Sequence, residues 1–272
     1  MIAVNEERLR ELAARFGYNC FGAPSFGWHN KSVGLRATHP NQARTLWVKL
    51  FAEEFEAANG REWEGEATAA EFELRSKPAL VAIHDYPTNE IVERLIVTDF
   101  ASAPIAGDSP WQIRNADEVD DNYLADLNET LGSLQQIETD RVNTRYDLVR
   151  RRVAEVWGVP VDEEICRWET VHGDLHWANL TLQTLFVLDW EGWGRGLVGQ
   201  DAANMLAYSG LYPAVAERIR QHFPILQTRQ AQLAVMFITA ELLRMNELYG
   251  DHPELVPSLL KLGTGARNAW QN

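Results

Sequence analysis

The hydrophobic pattern of this 272-residue chain shifts between about residues 98 and 104, from a mixed, strand-rich first third to a mainly helical remainder interrupted by one short hairpin. Such a switch points to an α+β fold with two lobes, a small antiparallel-sheet lobe followed by a mainly helical one. In the first part, Leu9, Leu12, Ala13 and Phe16 predict a helix over residues 6–16. Residues 32–37 and 45–51 read as antiparallel strands joined by a turn at His39-Pro-Asn-Gln42. A helix over 62–76 follows, with Trp63, Ala67, Ala70 and Leu74 on one side, then strands over 80–83 and 90–97. The small, polar run from Thr98 to Pro104 is the candidate hinge. The expected organisation is an N-terminal lobe over 1–98, a hinge over 99–103 and a C-terminal lobe over 104–272.

In the second part Leu124, Leu127, Leu131 and Leu134 mark one helix. Residues 145–157 mark another, closed by Gly158 and Pro160. Helical spacing continues over 202–208, 214–222 and 230–249. Two short apolar strands, 180–182 and 185–188, interrupt it and are joined by a tight turn at Gln183-Thr184.

A net charge of -14 argues against nucleic acid, which needs a basic footprint. It suits a cationic substrate, although acidity alone also keeps a protein soluble. The first residues carry charges where a signal peptide needs an apolar run, and no stretch approaches the ~18 apolar residues of a membrane span. The chain therefore reads as cytoplasmic. Cys20 and Cys166 match no metal spacing and are expected to be reduced core residues.

The polar residues around the short hairpin carry the chemistry. Asp174 precedes it, Asn179 stands at its first strand and Asp189 directly follows its second. A hairpin folds its ends together, so Asn179 and Asp189 should meet with Asp174 close by. Two carboxylates and an amide make an oxygen-rich site of the kind that holds magnesium together with substrate phosphates. A remaining carboxylate can accept a hydroxyl proton, as phosphoryl transfer requires. Taken singly, each of these residues also fits ordinary turn capping.

The string His172-Gly-Asp-Leu-His-Trp-Ala-Asn179, with Val187-Leu-Asp-Trp-Glu191, resembles the catalytic and metal-binding motifs of the aminoglycoside phosphotransferase/choline kinase family. The resemblance implies a protein-kinase-like fold, ATP (with GTP not excluded) and Mg2+. It implies Asp174 as catalytic base, Asn179 and Asp189 as metal ligands, and His172 and Asp201 as the residues that shape the catalytic loop. It also implies that Lys49, inside the apolar strand 45–51, holds the nucleotide's phosphates and pairs with a glutamate. Glu66 is the choice, with Glu62 and Glu71 open. An edge-strand lysine reaching into solvent is the plainer alternative.

The segment from Phe26 to Val33, placed between the first two strands, resembles the phosphate-covering loop, in which Gly27, Asn30 and Ser32 approach the nucleotide. Backbone groups of Asp99 and Ala101 would hold the base. Gln135 stands where many relatives carry histidine. Substrate contacts are sought at Trp193, Glu191, Glu241, Glu247 and Asp251. The expected activity is transfer to a hydroxyl of a small polar, cationic molecule such as an aminoglycoside or basic peptide antibiotic. A metabolite such as choline or an amino sugar is the first alternative, and a silent nucleotide-binding regulator the second.

Overall fold

The computed structural model describes residues 2–271. The chain divides into two compact units, Met1–Glu73 with Lys77–Ser102, and Leu74–Ser76 with Ala103–Asn272.

In the first unit, helix α1 (Glu6–Arg15) starts at Asn5, whose side chain accepts the amide hydrogen of Arg8. Five antiparallel strands follow: β1 (Asn19–Phe26), β2 (Ser32–His39), β3 (Gln42–Glu54), β4 (Leu80–Pro87) and β5 (Ile91–Asp99), in spatial order β1-β2-β3-β5-β4. Alternation along β3 sends Leu46, Val48 and Leu50 to a fully buried face. There they join Leu9, Leu12 and Ala13 of α1 with Leu35 and Leu95. Burying each such leucine contributes roughly 1.5–3 kcal/mol. Trp47, Lys49 and Phe51 take the other face.

Helix α2 (Arg61–Ala69) packs on that second face. Its Trp63 meets Phe51 edge-on at 5.0 Å. The Arg94 guanidinium lies 4.0 Å above the Trp63 ring, donates to the Trp63 carbonyl at 2.6 Å, and is bidentate to Asp85 at 2.6 and 2.7 Å. The helix ends at Ala69 rather than continuing to residue 76 as its spacing predicts. The Lys77 ammonium donates to the Ala69 carbonyl at 2.8 Å, satisfying one of the terminal acceptors, and Pro78 follows.

The second unit is built around helix α7 (Arg229–Tyr249), whose stretch from Leu233 to Ala240 is buried on every side, as a central helix requires. Helices α3 (Asp121–Gln135), α4 (Tyr146–Trp157), α5 (Gln200–Tyr208), α6 (Pro213–His222) and α8 (Val256–Gln271) complete the helical set. Of these, α4, α5 and α8 pack directly on α7. Two short two-stranded ribbons are added: β6 (Gly107–Ser109) with β7 (Gln112–Ile113), and β8 (Trp168–Val171) with β9 (Gly194–Leu197). Cys166 is buried, Cys20 half-buried, and both are free thiols. No helix among the described residues is long and apolar enough to cross a membrane.

Leu12 is fully buried between α1 and the sheet. Leu12→Ala should destabilise the protein by ~2–5 kcal/mol, read as a lowered midpoint in urea denaturation.

Candidate active site

The candidate catalytic loop begins where β8 ends. His172 is completely buried, and its ring meets Trp190 edge-on at 4.8 Å. Its Nε2 lies 2.9 Å from the Leu188 carbonyl oxygen, an acceptor only, so Nε2 carries the proton. Nδ1 is then the acceptor facing the Asp174 amide at 3.4 Å. One imidazole thus ties the start of the loop to the far end of the hairpin.

Gly173 turns the chain with φ +85°. A Cβ there would stand 2.0 Å from the Asn143 side chain, so both conformation and space demand glycine. Asp201, in the first turn of α5, holds this turn from below. Its Oδ2 accepts the His172 amide at 2.7 Å and its Oδ1 the Gly173 amide at 2.9 Å. Burial pushes the Asp201 carboxyl up to about 6, while His172 and the two amides hold it down.

The hairpin predicted over 180–188 is a single bridge, Leu180 to Val187, extended by the Leu188 amide donating to the Asn179 carbonyl at 2.8 Å. Gln183 in its turn is left-handed, with φ 63°. This register sets Asn179 opposite Leu188, one residue before Asp189. The Asn179 side chain donates Nδ2 to the Asp174 carbonyl at 2.9 Å and reaches Asp174 Oδ2 at 3.5 Å. Both neighbours are acceptors, so the amide orientation is fixed with Nδ2 towards Asp174 and Oδ1 on the other side.

Asp189 has φ 64° and ψ 68°, a left-handed conformation that few side chains tolerate and that Asp tolerates best with Asn. Among the described residues there is no cluster of three or more His, Cys, Asp or Glu able to hold a metal. One carboxylate and one amide oxygen fit magnesium shared with substrate phosphates, not a cage built by protein alone.

Support comes from residues the sequence did not reveal. Asn143 Nδ2 donates to the Gly192 carbonyl at 2.6 Å, and Gln200 Nε2 donates to Asn143 Oδ1 at 2.7 Å. Arg141 donates to the backbone carbonyls of Glu191 and Trp193, each at 2.5 Å. Gln135 hydrogen-bonds Glu169, which in turn accepts the Gly199 amide at 2.7 Å just before α5. Gln135 thereby helps to seat the helix that carries Asp201.

The candidate substrate residues fare unequally. Trp193 is only 5 % exposed, with the Arg141 guanidinium 5.5 Å above its ring, so it is a core residue and not the pocket wall expected of it. Glu241 is ion-paired with Arg152, which also binds Glu155 at 2.9 Å. Glu191 is half-buried and Glu247 exposed on α7. Asp251 lies near the loop: burial, then the charges of Asp174 and Asp251, push the Tyr208 hydroxyl far above its ordinary value. Tyr208 therefore keeps its proton; its ring meets His176, whose Nε2 lies 3.6 Å from Asp174 Oδ2.

In the first unit, Lys49 stands on β3, opposite Gly34 of β2 and Ile96 of β5. The strand is central, which removes the edge-strand reading. Glu66 follows Trp63 by three positions and shares its side of α2, whereas Glu62 is exposed and Glu71 lies past the helix end. The segment from Phe26 to Val33 caps the β1–β2 pair. The Gly27 amide donates to the Ser32 carbonyl at 2.9 Å, a Cβ on Gly27 would stand 2.3 Å from Ser32 Oγ, and Asn30 is left-handed at φ 59°. The Asp99 amide donates to the Ala79 carbonyl at 2.9 Å, and Ala101 lies beyond the strand end.

The sheet unit and the helical unit together are a protein-kinase-like α+β fold. Among solved structures, a thermostable mutant of an aminoglycoside phosphotransferase, apo form, aligns over 97% of this chain and 97% of its own, with TM-score 0.56 and 11% identity. An ethanolamine kinase of Plasmodium vivax aligns over 90% of this chain and 81% of its own, with TM-score 0.56 and 11% identity. A spectinomycin phosphotransferase in complex with ADP and spectinomycin aligns over 98% and 94%, with TM-score 0.50 and 12% identity. No family model and no curated protein sequence matches the chain.

Protonating Asp201 converts one of its two oxygens into a poor acceptor. Catalytic turnover should therefore fall as pH is lowered through about 6. The stability contribution has the opposite sense. A carboxyl raised in the folded state favours folding most below its unfolded value, near ~3.9, and loses that contribution as pH rises through about 6. Urea midpoints measured across that range should show the loss in the native protein and not in Asp201→Asn.

Proposed function

We propose that the chain is a magnesium-dependent, ATP-using O-phosphotransferase whose acceptor is a hydroxyl of a small polar, cationic molecule. The observation that carries this reading is the loop held by Asp201. It brings Asp174 and Asn179 to one end of a hairpin from which Asp189 emerges. Asp174 accepts the proton of the attacking hydroxyl, and its side chain is about half exposed, as a base that must meet substrate requires. Asn179 and Asp189 hold magnesium, which when bound supplies positive charge at the leaving oxygens. His172 and Asp201 touch no reacting atom; they fix the backbone from which Asp174 projects.

In the first unit, Lys49 holds the nucleotide's phosphates and Glu66 orients Lys49. Gly27, Asn30 and Ser32 form the covering loop, and Ala101 offers backbone groups to the base. The fold likeness to a spectinomycin phosphotransferase with bound ADP supports nucleotide use. The three related folds act on aminoglycosides, ethanolamine and spectinomycin by their names, all hydroxyl compounds carrying amines. Asp251, beside Tyr208 and Asp174, is the carboxylate best placed to meet such an amine.

Asp174→Asn should lower kcat by about 10²–10⁴-fold while leaving ATP affinity unchanged, since only the proton acceptor is removed. Turnover retained by this variant would exclude Asp174 as base. Magnesium-dependent ATP consumption across a library of aminoglycosides, basic peptides, choline and amino sugars identifies the acceptor. Silence across the library would favour a regulator that binds nucleotide without transferring phosphate.

A further inference from the structure

Helices α6 and α8 both pack against α5 but scarcely against each other. The gap between them is a cavity of about 700 Å³, within the ~300–1,000 Å³ range of small-ligand pockets. Its floor is apolar and buried: Leu206 of α5, Ala216 of α6, Leu226, Val235 of α7 and Ala266 of α8. Its lip is polar, with Arg220, Glu217 and Gln221 on α6, Ser258 and Lys261 on α8, and Gln227 between α6 and α7.

The gap is not part of the site described above. Asp174, Asn179 and Asp189 do not line it. Helix α5 has two sides. Asp201 binds the catalytic loop and Tyr208 meets His176 at 5.6 Å between ring centroids, whereas Leu206 and Ala207 face the gap.

Two features show what would fill it. Gly265 lies inside α8, where glycine weakens a helix, yet a Cβ there would meet nothing within 4 Å. Nothing packed against Gly265 requires the glycine; it is exposed, at the open mouth of the cavity, where a large side chain would reach over the opening. The charge at the lip is the second. Arg220 and Lys261 outnumber the single carboxylate, Glu217, whose Oε2 lies 3.5 Å from Arg220 Nη1. Lys261 has no carboxylate partner among the described residues. In a chain of net charge -14, a cation-rich lip above an apolar floor is a local reversal of sign.

We propose that this cavity is a second ligand site, for a small amphiphilic anion with an apolar body and one carboxylate or phosphate head. The body lies on the floor, and the head meets Lys261 and Arg220. A cationic amphiphile, the charge type expected of the phosphoryl acceptor, is repelled there.

The test uses the full chain and short probes below their micelle concentrations: octanoate and octyl phosphate, with octylammonium as the opposite charge. Calorimetry should give saturable, one-site binding of both anions, with a raised Tm. Lys261→Glu, at an exposed position that leaves folding intact, should weaken both by about tenfold or more. Gly265→Phe should abolish binding by covering the opening, and an unchanged Tm without probe would establish that it still folds. Asp174→Asn should bind both anions as the native chain does. Octylammonium binding as tightly as octanoate would overturn the proposal, as would anion affinity untouched by Lys261→Glu or lost in Asp174→Asn.

Discussion

The loop from His172 to Asn179 depends on one buried carboxylate. Asp201 accepts two consecutive backbone amides, His172 and Gly173, one on each oxygen. The φ and ψ of His172 set the direction these two adjacent amides share, and Gly173 then turns the chain away with φ +85°. Leaving such buried donors unpaired costs ~1–3 kcal/mol each, so the turn and the carboxylate stabilise each other. The carboxylate in turn is located by α5, and α5 by the Glu169 side chain that accepts the Gly199 amide. A small set of polar contacts therefore passes position from a helix start to the side chain of Asp174. None of them touches a reacting atom.

The loop is closed from above by His172. Because Nε2 donates to the Leu188 carbonyl, the ring bridges the first residue of the loop and the last residue of the hairpin. The segment carrying Asp174 and the segment carrying Asp189 are thus held by one rigid side chain. Asp189 accepts a left-handed backbone as the cost of leaving the hairpin at this angle.

Features written in consecutive residues were legible in the sequence. The polar residues bracketing the short hairpin, the leucine spacing of α3 and the strand pair around His39-Pro-Asn-Gln42 depend on local chemistry, and local chemistry is what a pattern records. The central position of Lys49 was not legible, because strand order is decided by partners far along the chain. Strand β1 escaped notice for a different reason: it holds Gly22 and Pro24 and is mostly exposed, so it has no alternation to read. Helix α8 buries Leu259, Gly263, Ala266 and Trp270, and its two small residues dilute the apolar stripe. Asn143 and Arg141 reach the backbone of residues 191–193, and Gln200 reaches Asn143, through hydrogen bonds that span 49 or more positions and leave no periodic trace. Trp193 and Glu241 are read from sequence as accessible, whereas the structure buries one and pairs the other. An indole beneath a guanidinium and a carboxylate beside a buried arginine look the same in sequence as free ones.

The short segment Leu74–Ser76 belongs to the helical unit although the residues on both sides of it belong to the sheet unit. Ser76 accepts the Val187 amide on its carbonyl at 2.8 Å, and its hydroxyl donates to Thr130 Oγ1 at 3.1 Å. The chain therefore passes from one unit to the other three times, not once. A protease nick at the single boundary after Ser102 would leave two fragments still interleaved. The second half of the gene, expressed alone from Ala103 onward, would lack Leu74–Ser76 and so would not encode a whole unit.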